Sequence, residues 1–210
     1  MACAIRLSHN WARGWQGLDH EDWRYVDLRA STGPWWWLVN LLGIQLMPTV
    51  LVFIGCISLS VIANSVSPDF NQSLTFWDLL ATGIGWAALW MEHSADSALH
   101  RFKRDAAPGD LLRSGVWSWC RHPNYTGEIG FWVALYVYAI AANGHFGTAF
   151  AWTGPVVMLV LFVFISIPMI DKRMARNRPG YAAHMATSFA LIPISHWVWP
   201  QTSKPNSSDR

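Results

Sequence analysis

Residues 121–128 read Arg-His-Pro-Asn-Tyr-Thr-Gly-Glu, where a basic stretch gives way to an apolar one. Pro123 suits the first turn of a helix, where its missing N–H is not needed. His122, just before it, is pushed out of helical geometry. The free N–H groups of that first turn, with the helix dipole, favour an anion, and Arg121 adds a full positive charge there. Asn124 and Glu128 fall one turn apart on one helix face, and Gly127 leaves room for a close approach. These types at this spacing could hold a soluble anionic ligand. The plainer alternative is a helix start at the headgroup layer, with Arg121 touching lipid phosphate.

Three other places could join that chemistry. Glu92 and Asp96 are one turn apart, with Lys103 close to the same stripe. Two like charges repel there and are costly near lipid without partners. They could hydrogen-bond ribose hydroxyls, an amide or basic residues of a nucleotide site, or they could snorkel to water and pair with Arg101 or Arg104. Asp171 ends a long apolar run. It could accept a hydrogen bond from a ligand or pair with Arg173 or Arg121. The phenol of Tyr181 could reach a cofactor or sit in the membrane interface. In the amino-terminal segment, Asn10, Arg13, Arg24 and Arg29 could wall a phosphate pocket or form a solvated arm on anionic lipid.

The elements that must position these groups are apolar. The chain has 210 residues, 52% hydrophobic and 13% charged, with 15 Trp. Residues 35–63 hold no charge (Asn40 and Gln45 are polar exceptions), 76–91 hold only Asp78, and 129–142 and 146–170 hold none. A spanning helix needs roughly 17 to 25 residues. The first and last runs reach this outright. The second reaches it by continuing through Glu92 and Asp96, and the third by starting at Pro123. The pattern predicts an all-α, multi-pass transmembrane bundle of about four spanning helices. It is one membrane domain over 1–200 with a disordered tail over 201–210. Four crossings put all fifteen Lys and Arg residues on one side. The positive-inside rule makes that side cytoplasmic, with both termini there; for a bacterial chain the membrane would be the inner one. Trp35, Trp36, Trp37, Trp77, Trp197 and Trp199 cluster near run ends, as interfacial anchors do.

Local signals fix several boundaries. Gly33-Pro34 breaks the chain before the first run, and Pro48 kinks that helix. Residues 64–73 form an outer loop. Thr75 and Asp78 have the spacing of a capping pair. Pro108-Gly109 and Asn143-Gly144 mark turns, and Pro179-Gly180 ends the last helix. The net charge of +2 and the absence of any nucleic-acid motif argue against nucleic acid. Three cysteines without a CxxC pair argue against a disulfide framework, and eight scattered histidines show no metal-ligand spacing.

Taken in order, Glu-Asp-Trp-Arg-Tyr at 21–25, Glu92 with Asp96, Pro108-Gly109, Gly115-Val116-Trp117 leading into 121–128, Arg-Pro-Gly-Tyr at 178–181 and Leu191-Ile192-Pro193 resemble the carboxy-terminal domain family of steroid 5-alpha-reductases. The likeness is greatest to its bacterial membrane members of unassigned substrate, and it extends to about Ile194. A similar His-Pro-x-Tyr block occurs in sterol reductases and isoprenylcysteine carboxyl methyltransferases. The resemblance implies a helical membrane enzyme that binds NADPH and reduces an activated carbon–carbon double bond in a lipid-like substrate. By motif, Asn124 and Glu128 contact the cofactor, Glu92 and Asp96 face them, and Arg121, His122 and Tyr125 shape the phosphate and ribose region. Lys103, Asp171 and Tyr181 complete the expected cofactor set. Tyr25, Tyr125 or Tyr181 could donate the proton.

Members of that family usually carry further membrane helices ahead of the segment that starts here. Those helices help supply a Glu and a Tyr that polarise the substrate carbonyl, and neither has a match in 1–34. Two alternatives follow: an S-adenosylmethionine-dependent methyltransferase on the same pocket, and a non-catalytic truncated paralogue. The basic Lys172 after Asp171 departs from the acidic pair of the methyltransferases. Membrane lipids are expected partners, and because four helices are few for enclosing both a dinucleotide and a lipid, a homo-oligomer stays open.

Overall fold

A computed structural model of the chain describes residues 2–15, 17, 21–65, 73–146 and 150–195. Trp197, Trp199, the tail and most of the 64–73 loop lie outside these. Every regular element among the described residues is helical.

Helix α1 is Ala2–Gly14 and α2 is Trp23–Thr32. Asp22 caps α2, its carboxylate accepting from the Arg24 backbone N–H at 2.9 Å. Gly33 (φ 50°) and Pro34 turn the chain without ending its helical course. It continues through α3 (Trp36–Val39), a π-helical stretch Asn40–Leu46, α4 (Met47–Gly55) and α5 (Ile57–Ser65). Next come α6 (Phe76–Asp105), α7 (Pro123–Asn143), α8 (Thr153–Leu161), α9 (Ile167–Asn177) and α10 (Tyr181–Ala186).

Two helical stretches among the described residues, not the four expected, are long and apolar enough to cross a membrane: Trp23–Ser65 and Thr153–Asn177. The expectation counted charges and ignored weaker polarity. Helix α7 is long enough, but its first two turns read Pro-Asn-Tyr-Thr-Gly-Glu. Helix α6 mixes Asp78, Glu92, His93 and Asp96 with Trp, Gly and Thr. Only 11% and 17% of the two apolar windows is buried. A soluble core helix would be mostly enclosed, so these faces suit lipid, which points to a membrane protein.

Both long stretches change winding at the same kind of place. The π segment Asn40–Leu46 precedes Pro48, and a second one, Phe162–Ser166, precedes Pro168. Proline lacks an N–H and its ring crowds the carbonyl four residues back. The wider π turn absorbs both defects ahead of Pro48 and Pro168.

The chain divides into two compact units, residues 1–83 with 132–158, and 84–131 with 159–210. In the first, α4 and α5 part at Gly55-Cys56. A Cβ at Gly55 would lie 2.3 Å from the Trp132 ring, and one at Gly154 would lie 3.1 Å from the Gly55 carbonyl. Glycine is therefore required for this approach. The Ser58 hydroxyl donates to the Ala151 carbonyl at 2.8 Å beside the buried Val61, Ala139 and Ala151. Asp78 and Thr75 form the expected cap, with the Asp78 carboxylate accepting from the Thr75 N–H (2.8 Å) and hydroxyl (2.7 Å). In the second unit α6 and α7 run antiparallel: Gly130 meets Ala88, and Gly127 meets Glu92.

Candidate functional site

In the second unit, helix α7 starts at Pro123 with His122 outside it, as the sequence predicts. Backbone bonds hold that start in place. Arg121 N–H donates to the Phe189 carbonyl (2.9 Å), His122 N–H to Ala190 (3.0 Å), and Ser195 N–H to Trp119 (2.8 Å). The Thr126 hydroxyl donates to the Leu191 carbonyl at 2.7 Å. The Leu-Ile-Pro motif thus closes over the first turns of α7. Cys120, buried beside Thr126, carries a free thiol whose pKa burial pushes up.

Asp171 is the hub of a buried cluster. One of its oxygens meets His122 Nε2 at 2.9 Å and accepts from the Tyr181 hydroxyl at 2.5 Å. The other accepts from Arg121 Nη2 at 3.1 Å. Arg121 Nη1 donates to the carbonyls of Met185 and Ser188. Of its guanidinium, Nε remains buried without a hydrogen-bond partner. Arg121 is thus a clasp between the start of α7 and the carboxy-terminal segment, with little left to offer a phosphate. Burial and the Asp171 carboxylate push the Tyr181 phenol well above its usual range, so it holds its proton against Asp171. Burial, then Arg113 and Arg121, lowers His184 to about 4, so it stays neutral. Tyr125 lies between rings, with centroids 5.5 Å from His122 and 4.3 Å from Phe162.

The second cluster lies along the α6–α7 seam. Glu92 is 1% exposed, and a Cβ on Gly127 would come within 2.5 Å of its Cγ. The antiparallel course carries Asp96, one turn on, toward Asn124, one turn back. Asn124 Oδ1 is buried with no hydrogen-bond partner. Glu128 is half-buried on the next position of α7. Lys103 is exposed at the end of α6 on the Glu92–Asp96 stripe. The structure therefore brings Arg121, His122, Asp171 and Tyr181 together in one cluster, and Glu92 against the α7 face of Asn124 and Gly127.

The amino-terminal arginines belong to the first unit, where Arg24 pairs with Asp22 (2.9 Å) and Arg29 with Glu21 (2.5 Å). The Glu-Asp-Trp-Arg-Tyr motif is thereby a capped, internally paired helix start. Sequence reasoning missed the carbonyls of Met185 and Ser188 as partners of Arg121. The only signal was the return of the Leu-Ile-Pro motif after Arg-Pro-Gly-Tyr.

The sequence profile of the DUF1295 family, described as a protein of unknown function, matches residues 1–188, so the chain belongs to that family. The family is linked to steroid 5-alpha-reductase-like proteins. No curated protein and no solved structure gives a significant match.

Proposed function

We propose, with membership of that family as the premise, that the chain is a multi-pass membrane reductase. It binds NADPH at the α6–α7 seam and acts on an activated carbon–carbon double bond of a lipid-like substrate. The observation that carries this is the buried Oδ1 of Asn124, which lacks a hydrogen-bond partner on the helix whose Gly127 meets the buried Glu92. A buried acceptor without a donor costs about 1–3 kcal/mol. Ribose hydroxyls and a carboxamide supply the donors that Asn124, Glu92, Asp96 and Glu128 can accept. Lys103, on the same stripe, is the cation placed for a phosphate, since Arg121 is occupied by Asp171. The bound cofactor supplies hydride, and the chain's own groups bind and orient it. Tyr181, committed to Asp171, is not a free proton donor. The basic loops face the cytoplasm in this reading.

Titration calorimetry of the folded protein in detergent, with NADPH and S-adenosylmethionine side by side, tests the reading. NADPH binding that weakens in Asn124→Ala and Glu128→Ala supports it. Binding of S-adenosylmethionine instead makes the chain a methyltransferase, and binding of neither makes it non-catalytic.

A further inference from the structure

We propose that the opposite face of α6 carries a second site, for a phospholipid with an anionic headgroup. A helix turns once in about 3.6 residues. Glu92, Asp96 and Lys103 therefore share one stripe, and Trp90, Ser94, Ser97 and Arg101 share the stripe across from it. The 115–119 segment folds beside this second stripe, tied down by the Trp117 indole N–H, which donates to the Ala95 carbonyl at 3.1 Å. Between the segment and the helix lies a cavity of about 600 Å³.

The two ends of that cavity differ in chemistry. At one end the Trp90 and Trp119 rings pack with centroids 5.9 Å apart, and Trp90 is 55% exposed. At the other end stands Arg101, exposed and in no hydrogen bond or ion pair among the described residues. Arg101 lies about 16 Å along the helix from Trp90, at about 1.5 Å rise per residue. His93, Ser94 and Ser97 line the space between, and no carboxylate of the described residues does. An adjoining groove that Arg101 also lines holds Asp110 and Asp105, the latter paired with Arg104 at 2.8 Å. An amphiphile fits this layout: phosphate on Arg101, glycerol and ester oxygens along the serines, upper acyl chain across the indoles. Tryptophan favours the headgroup layer, and basic side chains attract anionic lipid. This site does not depend on cofactor binding at the seam.

The test uses the full chain in neutral detergent, titrated with short-chain phosphatidylglycerol, short-chain phosphatidylcholine and inorganic phosphate by microscale thermophoresis. Phosphatidylglycerol should bind about tenfold more tightly than phosphatidylcholine, in line with a charge-assisted contact. Arg101→Gln should abolish that preference and Arg101→Lys should keep most of it. Trp90→Ala should weaken both lipids about threefold. Arg176→Gln removes the same charge from an exposed position on α9 and should leave the preference intact. An equal loss in Arg176→Gln and Arg101→Gln would mean general attraction to a basic surface and would overturn the site. So would displacement of the lipid by equimolar inorganic phosphate. Both arginines and Trp90 are exposed, so the variants should fold, and thermal melts verify that each does.

Discussion

Two polar clusters meet the first turns of α7, and they are built in opposite ways. Around Asp171 the carboxylate is saturated: an arginine, a histidine and a phenol converge on it. Along the seam with α6, a buried amide oxygen has no partner. A saturated carboxylate holds a fold together even with the Arg121 Nε left unpaired beside it, whereas an orphan acceptor stores a cost that a ligand's donor can relieve. The residues of 121–128 read as one motif, yet their first two side chains bond to Asp171 while the Asn124 Oδ1 has no hydrogen-bond partner.

The sharpest way to break this contrast is Asp171→Ala. It leaves Arg121 and His122 facing an empty site and should cost about 3–5 kcal/mol in reversible unfolding in detergent. Gly127→Ala comes next. Its Cβ would sit 2.5 Å from Glu92 Cγ and 2.9 Å from the Ala88 carbonyl, while Gly130→Ala meets only Ala88 Cβ at 3.2 Å. Overpacking should cost Gly127→Ala about 1–3 kcal/mol, more than Gly130→Ala, and should reduce cofactor affinity.

Acidification probes the saturated side. His184 holds a pKa of about 4, below its ordinary value, beside Arg113, Arg121, His122 and Asp171. The unfolded chain therefore takes up its proton first. Stability present above about pH 6.5 should fall by on the order of 1–3 kcal/mol as pH drops toward 4. In His184→Gln the melting temperature should depend less on pH across that window. The smallest effect on stability belongs to Asn124→Ala, which removes a group with no partner. Unfolding should change by less than about 1 kcal/mol, while NADPH affinity should fall about tenfold. A large loss of stability there would erase the distinction between the two clusters.

Local features were legible in the sequence. The start of α7 at Pro123, the Thr75–Asp78 cap, the left-handed Gly109 and the end of α9 before Pro179-Gly180 each depend on neighbours a few residues away. The Asp171 cluster was not legible, because its partners lie 50, 49 and 10 residues away. Asp171 with Arg121 was one of several open pairings, and only packing selects it. The number of apolar spans was overestimated because charge alone was counted. The groove beside Trp90 had a signal in the register of Trp90, Ser94, Ser97 and Arg101, but their types suggested interfacial anchors and a basic loop.

The wide turn at Phe162–Ser166 has a consequence for evolution and for engineering. A π segment accommodates an extra residue in the winding, so it sets the azimuth of everything after it. Rewinding those residues as regular α-helix, with none removed, would swing Asp171 by about a quarter of a turn. The carboxylate would then miss Arg121, His122 and Tyr181 together. Deleting one residue at the same place would instead let regular α-helix return with Asp171 still facing its partners.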